Sequence, residues 1–407
     1  MGYNIEKNKN GKYQVIKDGA SRATRVFDNY NDAKDYLEEI EGKNKKKKTG
    51  KKTVTAGKVV IAMILGLIIG FAIGYFTPLN TKKDPIGVVS DGELTIHFLE
   101  LGNEYTGDSV YIKAGENDIL IDAGSRNSSS KTITEYINNY VNDGTLEYVI
   151  ATHAHQDHIA GFVGTKQEPG IFERFKCEII IDFPLTNATS NVYKNYVELR
   201  DNEIRNDGAT HYTALECYKE ENGGKRKYDL GEGITLEILY NYYYENKTSD
   251  ENDYSVCVLI NDGLNNYLFT GDLEEKGEEY LVEYNDLPKC KVYKAGHHGS
   301  KTSSSEALLK EIEPEIVCVC CCAGSTEYTT VNDNTFPTQD FINRVSEYTD
   351  QIFVTTIVSD SNDGFESMNG NIIVSLKDGV VSVNCTNNNV ILKDTEWFDK
   401  NRKWPKR

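Results

Sequence analysis

Histidine is rare in this chain, and it is clustered. Only seven of the 407 residues are histidine, and three of them fall in the short segment from His153 to His158. His153 and His155 alternate after an apolar strand, so both could reach one metal ion, while Asp157 and His158 could reach a second ion beside it. Imidazole and carboxylate are ligands that Zn²⁺ and Mn²⁺ prefer. The segment therefore predicts a metal-dependent centre.

Two later segments offer further ligands. Asp272 follows the apolar strand that ends at Gly271, and ligands collect at the carboxyl ends of strands in open α/β sheets. Alone, Asp272 is equally well the N-cap of a helix that begins at Leu273; beside the histidine cluster, it predicts a carboxylate shared by two ions. His297 and His298 also follow an apolar strand, and no histidine comes later in the chain.

Strand and helix patterns alternate from residue 92 onward, and runs of strands mixed with strand–helix units predict an α/β layered sandwich. The predicted strands are Leu94–Leu99, Ser109–Ala114, Ile119–Asp122, Tyr148–Thr152, Glu178–Asp182, Ile234–Leu239, Ser255–Ile260, Tyr267–Thr270, Val292–Ala295, Ile316–Cys322, Ile352–Thr356, Ile372–Leu376 and Val380–Val383. The predicted helices are Lys131–Val141, Val192–Ile204, Leu273–Tyr284, Glu306–Ile312 and Thr338–Glu347. Residues 386–407 are polar and are interpreted as a tail.

Residues 1–42 are predicted to form a small ββα module. A strand begins at Tyr13, Asp18-Gly19 favours a turn, and Arg22–Phe27 could return as a second strand. Asp32–Ile40 is predicted as the helix. Residues 43–58 form a lysine-rich linker.

Residues 59–77 are uncharged and mostly apolar. A helix of this length spans roughly 29 Å, close to the thickness of a bilayer's hydrocarbon core. Lysines are concentrated before the segment, so the positive-inside rule predicts a cytoplasmic N-terminus and an extracellular body. Gly66, Gly70 and Gly74 form a stripe of small residues that could pair two anchors in a homodimer. Because glycine is common in membrane helices generally, the dimer stays an open alternative.

Charge and cysteine content narrow the function classes. Residues 1–58 carry a net charge of +7, whereas residues 85–407 hold 28 Lys and Arg against 54 Asp and Glu, a net charge of −26. Such an acidic body repels polyanions at long range, which argues against a protein that coats DNA. Cys318, Cys320, Cys321 and Cys322 lie in an apolar run that is predicted as a buried strand. The Cys-x-x-Cys spacing lacks the second pair that a zinc ribbon needs.

Several motifs together resemble the metallo-β-lactamase superfamily over about residues 92–385, and most closely the extracellular hydrolase domain of ComEC-type DNA-uptake competence proteins. The matching segments are Gly107-Asp108-Ser109, Leu120 to Gly124, His153 to His158, Asn252-Asp253-x-Ser255, Thr270-Gly271-Asp272 and Gly296 to Ser303. The resemblance implies a four-layer αβ/βα sandwich with two divalent ions, Zn or Mn.

The resemblance also implies roles for the site residues. His153 and His155 would hold metal 1; Asp157, His158 and His298 would hold metal 2, with Asp272 bridging the two ions and Asp122 and Ser300 in support. His297 would contact the scissile phosphate or protonate the leaving group, so His297 and Asp157 are the expected catalytic residues, although His297 and His298 could exchange roles. Many relatives carry a third histidine on metal 1. Here Asp253 is the candidate substitute, His211 is a weaker candidate because its surroundings are polar, and the remaining alternative is that metal 1 is weakly held.

One motif departs from the family pattern. Asn334-Thr335-Phe336-Pro337 stands where ComEC-like domains carry Gly-His-Pro, so we expect a substrate contact to be lost. The function predicted first is a membrane-anchored phosphodiesterase that acts on DNA, a nucleotide or a cell-envelope phosphodiester through a metal-bridging hydroxide. The alternatives are a hydrolase of a carbonyl substrate, such as a lactam or lactone, and a non-catalytic membrane sensor with a degenerate metal site.

Overall fold

The computed structural model describes residues 3–7, 12–17, 25–27 and 94–406. The chain divides into two compact units, residues 1–83 and 84–407. In the first unit, three short strands form an antiparallel sheet in the order β1-β2-β3: Tyr3–Lys7, Tyr13–Lys17 and Arg25–Phe27. The first of these strands was not predicted.

The other N-terminal predictions lie outside the described residues. These are the helix at 32–40, the linker at 43–58 and the membrane segment at 59–77. Among the helices that the structure does describe, none combines the length and the apolar character that a bilayer crossing requires.

The second unit contains two sheets of eight strands. The first has the order β19-β18-β4-β5-β6-β7-β8-β9, and the second has the order β10-β11-β12-β13-β14-β15-β16-β17. The strands are β4 Leu94–Phe98, β5 Val110–Ala114, β6 Asn117–Ile121, β7 Thr145–Ile150, β8 Lys176–Asp182, β9 Thr210–Thr213, β10 Lys227–Gly231, β11 Ile234–Ile238, β12 Val258–Asn261, β13 Asn266–Phe269, β14 Val292–Lys294, β15 Ile316–Ala323, β16 Ile352–Val358, β17 Phe365–Ser367, β18 Ile372–Lys377 and β19 Val380–Cys385.

Each sheet is part antiparallel and part parallel. Strands β6 to β9 run parallel in the first sheet, and β13 to β16 run parallel in the second. Parallel strands need crossover connections, which here carry the helices. Because parallel strands end at the same edge of their sheet, the predicted ligands after β7, β13 and β14 are carried to those edges.

The described helices are α1 Ser129–Ile137, α2 Gln156–Val163, α3 Ile171–Arg174, α4 Asn191–Asn202, α5 Ala214–Lys219, α6 Glu275–Tyr284, α7 Glu306–Ile312, α8 Gln339–Val345 and α9 Glu396–Asn401. Phe98 of β4 stacks on Phe269 of β13 with ring centroids 6.2 Å apart, so side chains of both sheets meet in one core.

The two faces of β15 pack into different cores. Cys318 and Cys320 join the core between the sheets, whereas Val317 and Val319 pack with the helices of the second sheet. The predicted two-sheet α/β sandwich is confirmed, and all nine cysteines are free and buried.

The prediction that residues 386–407 form a polar tail is wrong, because part of this segment is packed in the core. Helix α9 packs Trp397 and Phe398 into the core of the second sheet. Arg402 is also buried, and its guanidinium donates hydrogen bonds to the carbonyl oxygens of Pro337 and Thr335. The segment was predicted as a tail because most of its residues are polar. Its two large aromatic side chains nevertheless bury much apolar surface.

Candidate metal centre

Four buried side chains converge at the ends of strands from both sheets. Asp157 and His158 follow β7, Asp272 follows β13 and His298 follows β14. Their ligand atoms all lie within 4.8 Å of one another, and we call this set the inner pocket. The Nε2 atoms of His158 and His298 lie 3.0 Å and 3.2 Å from the Oδ2 atom of Asp272. The carboxylate predicted to bridge two ions is thus central to the pocket.

The start of α2 places two of these ligands. The helix begins at Gln156, so Asp157 and His158 lie in its first turn, where the helix dipole stabilises a carboxylate. Gly124, in the turn after β6, packs directly on this point. A Cβ atom at Gly124 would lie 1.4 Å from the carbonyl oxygen of Asp157, so only glycine permits the contact.

Two further carboxylates hold the imidazoles from behind. The Oδ2 atom of Asp122 lies 2.8 Å from His158 Nδ1. The Nδ1 atom of His298 is hydrogen-bonded to the carbonyl oxygen of Cys320 at 3.0 Å, and the Oδ1 atom of Asp108 also lies 3.0 Å from it. Thr152 donates hydrogen bonds from its N–H and its hydroxyl to Asp122, each at 2.8 Å. A carboxylate on Nδ1 fixes the ring and leaves Nε2 to face a metal ion. Asp122 therefore lies where a supporting carboxylate was expected.

Carboxylates also decide the charge of the inner pocket. Burial alone would lower the pKa of His158, but Asp272 and Asp122 outweigh it and raise that pKa well above its usual value. Asp272 and Asp108 act on His298 in the same direction. Without metal, both imidazoles hold protons that a metal ion would have to replace.

The backbone separates His297 from His298. Both residues have positive φ, 44° and 56°, and His298 is fully buried in the inner pocket. The side chain of His297 is 22% exposed, and its Nε2 atom lies 3.9 Å from Asp272 Oδ2. The geometry therefore gives the ligand position to His298 and leaves His297 at the rim.

Glu274 holds the rim histidine. Its Oε1 atom lies 3.4 Å from His297 Nδ1 and accepts a hydrogen bond from Thr302 Oγ1 at 3.0 Å. Burial would raise the pKa of Glu274, but its hydrogen bonds with His297 and Thr302 bring it below the usual value. Ser300 contacts this group through Thr302, since their hydroxyl oxygens are 2.9 Å apart. The predicted support from Ser300 thus reaches the site indirectly.

His153 and His155 form a second, smaller set that we call the outer pair. The Nε2 atom of His153 lies 3.0 Å from the Nδ1 atom of His155. Asp253 is not among the ligand atoms that the structure gathers at the centre. Its Oδ2 atom instead accepts a hydrogen bond from Thr248 Oγ1 at 3.0 Å, and burial raises its pKa to about 6. The use of Asp253 as a third ligand is therefore not supported, because the turn at Asn252–Tyr254 directs it elsewhere.

A buried lysine lies against the inner pocket. The ammonium of Lys294 is ion-paired with Asp108 and lies 3.8 Å from Asp272 Oδ1, and it donates a hydrogen bond to the carbonyl oxygen of Gly271 at 3.2 Å. Burial would lower the pKa of Lys294, but Asp108 and Asp272 raise it. Lys294 is thus a fixed cation beside the ligands.

The donor set fits a divalent metal ion. Imidazole and carboxylate are suitable ligands, and buried polar atoms here lack other partners. Within the part of the chain that the structure describes, Asp272 Oδ1 accepts no hydrogen bond, and the 3.2 Å contact of His298 Nε2 with Asp272 Oδ2 lacks hydrogen-bond geometry. Leaving such atoms unpaired is costly, so the pocket is built for a cation.

Aromatic side chains border the centre. The Tyr328 hydroxyl donates a hydrogen bond to Asp157 Oδ2 at 2.7 Å. Phe336 packs beside both histidines of the His297-His298 pair, with ring centroids 5.7 Å and 5.8 Å away. The phenyl ring thus lies at the rim but offers no hydrogen bond.

Sequence reasoning did not assign Asp108, Lys294, Glu274 or Tyr328 to the site. Lys294 carried a usable signal, because lysine in an apolar strand is rarely buried without a partner. Glu274 was detectable from its position two residues after Asp272. Tyr328 lies in a polar loop and carried no signal.

The metallo-beta-lactamase superfamily model matches residues 102–171 and 249–323, which contain all four ligands of the inner pocket. Over these two ranges the chain is similar to the metallo-β-lactamase superfamily. The structure of the metallo-β-lactamase-fold protein YhfI from Bacillus subtilis aligns at 12% identity over 65% of this chain and 96% of that chain, with a TM-score of 0.40. CmlA, a diiron β-hydroxylase from Streptomyces venezuelae, aligns at 11% identity over 57% and 46%, with a TM-score of 0.32.

The similar curated proteins include competence proteins. Recombination protein 2 of Haemophilus influenzae is 42% identical over 72 residues, which cover 18% of this chain and 9% of that protein. ComE operon protein 3 of Bacillus subtilis is 25% identical over 174 residues, covering 42% and 19%. Competence protein ComA of Neisseria gonorrhoeae is 27% identical over 240 residues, covering 59% and 28%. The resemblance to ComEC-type proteins is confirmed, but the matches span less than a third of the length of these relatives.

Proposed function

We propose that this chain is a metal-dependent phosphodiesterase, anchored in the membrane by residues 59–77 with its hydrolase domain outside the cell. The observation that carries the proposal is the contact of two imidazole Nε2 atoms with one oxygen of Asp272, beside the rim residue His297. A central carboxylate suits two adjacent divalent ions, the arrangement that phosphatases and nucleases use.

The ions would supply a hydroxide, since bound water ionises near pH 7 instead of 15.7, and would offset charge on the phosphate. His153, His155 and the inner pocket would hold them. His297 is partly exposed beside Asp272 and can protonate the departing oxygen of the substrate. Glu274 keeps the ring oriented through Nδ1, so Nε2 faces the reacting group.

His297 is available as a proton donor for an alkoxide leaving group, which a phosphodiester and a lactone both have, so the preference for a phosphodiester comes from the relatives. The relatives are named for competence and recombination, which agrees with a nucleotide-type phosphodiester. The net charge of −26 on residues 85–407 favours a small or single-stranded substrate, because affinity for duplex DNA depends on Lys and Arg at the phosphates.

The test is hydrolysis of bis(p-nitrophenyl) phosphate by the purified full-length chain in detergent, with Mn²⁺ or Zn²⁺. We expect metal-dependent turnover that Asp157→Asn abolishes. The matched control is His211→Gln, because His211 pairs with Asp182 and belongs to neither ligand set.

Other outcomes would redirect the proposal. Two bound ions without diester hydrolysis, but with cleavage of a lactone or lactam, would overturn it in favour of a carbonyl substrate. The absence of both turnover and bound metal would favour a sensor. Accessibility of the hydrolase domain to protease added outside intact cells tests the proposed membrane orientation.

A further inference from the structure

The donor atoms at the centre fall into two unequal sets. The inner pocket brings four ligand atoms within 4.8 Å of one another, all on buried side chains. The outer pair, His153 and His155, brings only two, 3.0 Å apart. A protein-bound zinc ion takes four ligands, or three and a water molecule. The inner pocket meets this need with its own atoms, whereas the outer pair supplies only two and would depend on a share of Asp272 for a third.

No other imidazole is free to complete the outer pair. All seven histidines lie among residues that the structure describes, and three of them belong to neither ligand set. The ring of His97 is hydrogen-bonded on both nitrogens inside the core. His211 Nε2 lies 2.8 Å from Asp182 Oδ1, and His297 lies against Glu274.

Exposure separates the two sets further. His155 is exposed to solvent, whereas every ligand of the inner pocket is buried. An ion on the outer pair would therefore keep open positions on the side from which substrate arrives. Those positions could take water or an oxygen of the substrate.

The fixed charges also oppose a second ion. Asp272 is the carboxylate that both ions would share, and the Lys294 ammonium lies 3.8 Å from its Oδ1 atom. A buried ammonium at that place repels an additional cation and offsets part of the charge of the shared carboxylate. Anionic phosphate brought together with the second ion would offset this repulsion.

We infer that the centre binds one divalent ion in the inner pocket unaided, and that the outer pair takes the second ion only together with a phosphate oxygen. The inference rests on the proposed function, since the phosphodiester supplies that oxygen in turnover. Under this scheme the substrate completes its own catalytic site. The chain without substrate holds a single ion.

The experiment measures Mn²⁺ binding to the full-length chain in detergent, without and with inorganic phosphate. Native mass spectrometry and calorimetry give the stoichiometry, and electron paramagnetic resonance distinguishes an isolated Mn²⁺ from a magnetically coupled pair. We expect one ion without phosphate and a coupled pair with it, with at least about a tenfold gain in affinity for the second ion, equivalent to about 1.4 kcal/mol.

Variants assign the two ions. His155→Gln should remove the phosphate-dependent ion and keep the first, because His155 lies on the exposed outer pair. His298→Gln should weaken the first ion by more than about a hundredfold, since even indirect partners of a ligand are worth ten- to a hundredfold. Lys294→Met should allow a second ion to bind without phosphate. His211→Gln is the matched control and should change neither stoichiometry.

Two metal stoichiometries would contradict the inference. Two ions of similar affinity without phosphate, or a single ion even with saturating phosphate, would overturn the inference. Should Lys294→Met fail to fold, His155→Gln still decides the assignment, because its side chain is exposed. Binding is measured without turnover, so the expected stoichiometries without diester hydrolysis would refute the proposed function alone.

Discussion

His97 and His158 are equally buried in the same domain, yet their surroundings shift their protonation in opposite directions. The ring nitrogens of His97 meet only hydroxyl groups, those of Tyr136 at 2.8 Å and Thr95 at 2.9 Å, and burial lowers its pKa to about 3. His158 lies between the carboxylates of Asp122 and Asp272, which overcome the effect of burial and raise its pKa. Burial alone makes a neutral structural histidine, whereas carboxylate partners make a cation site.

The same contrast holds for the neighbours beyond hydrogen-bond distance. Aromatic rings surround His97: those of Tyr111, Tyr136 and Tyr140 have centroids 4.7 to 5.7 Å away. The rings of His153 and His298 surround His158, with centroids 4.1 Å and 5.2 Å away. One region is therefore sealed by apolar surface, and the other is a cluster of ligands.

The largest expected effect on activity comes from removing a carboxylate from the inner pocket, which makes its surroundings more like those of His97. Asp272→Asn removes the shared negative charge, so we expect metal binding to fail and kcat to fall by about 10³-fold or more. The measurement is kcat with the metal content of the purified protein. Asp118→Asn is the control, because Asp118 is also buried but bonds Tyr111 and Lys113 near the opposite end of β6. An Asp272→Asn variant that keeps its metal and its rate would show that the carboxylate is not central.

The second prediction concerns His297, a histidine with a carboxylate partner but with an exposed edge. His297→Gln should lower kcat by about a hundredfold for a diester with an alkoxide leaving group, because the proton donor is lost. A p-nitrophenolate leaving group needs no proton, so its hydrolysis should change much less. Glu274→Gln should act in the same direction with a smaller effect, since it only orients the ring. Equal losses on both substrates would show that His297 does not donate the proton.

The third prediction uses pH to test whether His97 is neutral in the folded protein. Because the pKa of folded His97 is about 3 and that of an unfolded histidine about 6.5, the unfolded state binds more protons between these values. His97 therefore destabilises the fold as pH falls below about 6.5, by about 1.4 kcal/mol per pH unit. Urea unfolding in the presence of chelator should show that His97→Gln loses roughly 2 kcal/mol less stability than the parent chain between pH 6.5 and 4.5. Parallel pH profiles would contradict this assignment.

Sequence reasoning found the residues whose chemistry is local. The spacing from His153 to His158 and the strand-end positions of Asp272 and His298 identified the inner pocket, and the apolar runs identified most strands. These signals depend on composition and periodicity within a few residues.

The residues that sequence reasoning missed or misplaced owe their positions to contacts between distant segments. Asp108 and Lys294 are far apart in sequence, and only the pairing of both sheets brings them together beside the ligands. The same holds for Asp253, which a motif placed near the outer pair and the fold directs to Thr248. Trp397 was assigned to a tail because nothing local reveals the surface that it covers.

The smallest effect on metal binding is expected from a change at Tyr328. Its hydroxyl is hydrogen-bonded to Asp157, as that of Tyr136 is to His97. A hydroxyl partner orients a group but adds no charge, and the Tyr328 side chain is 55% exposed. Tyr328→Phe should therefore weaken Mn²⁺ binding by less than about tenfold, in keeping with a net contribution of about 1 kcal/mol for one hydrogen bond. Calorimetry measures the change, with Tyr105→Phe as the control. A hundredfold loss would mean that a hydroxyl partner matters as much as a carboxylate here, and the contrast between the two regions would no longer hold.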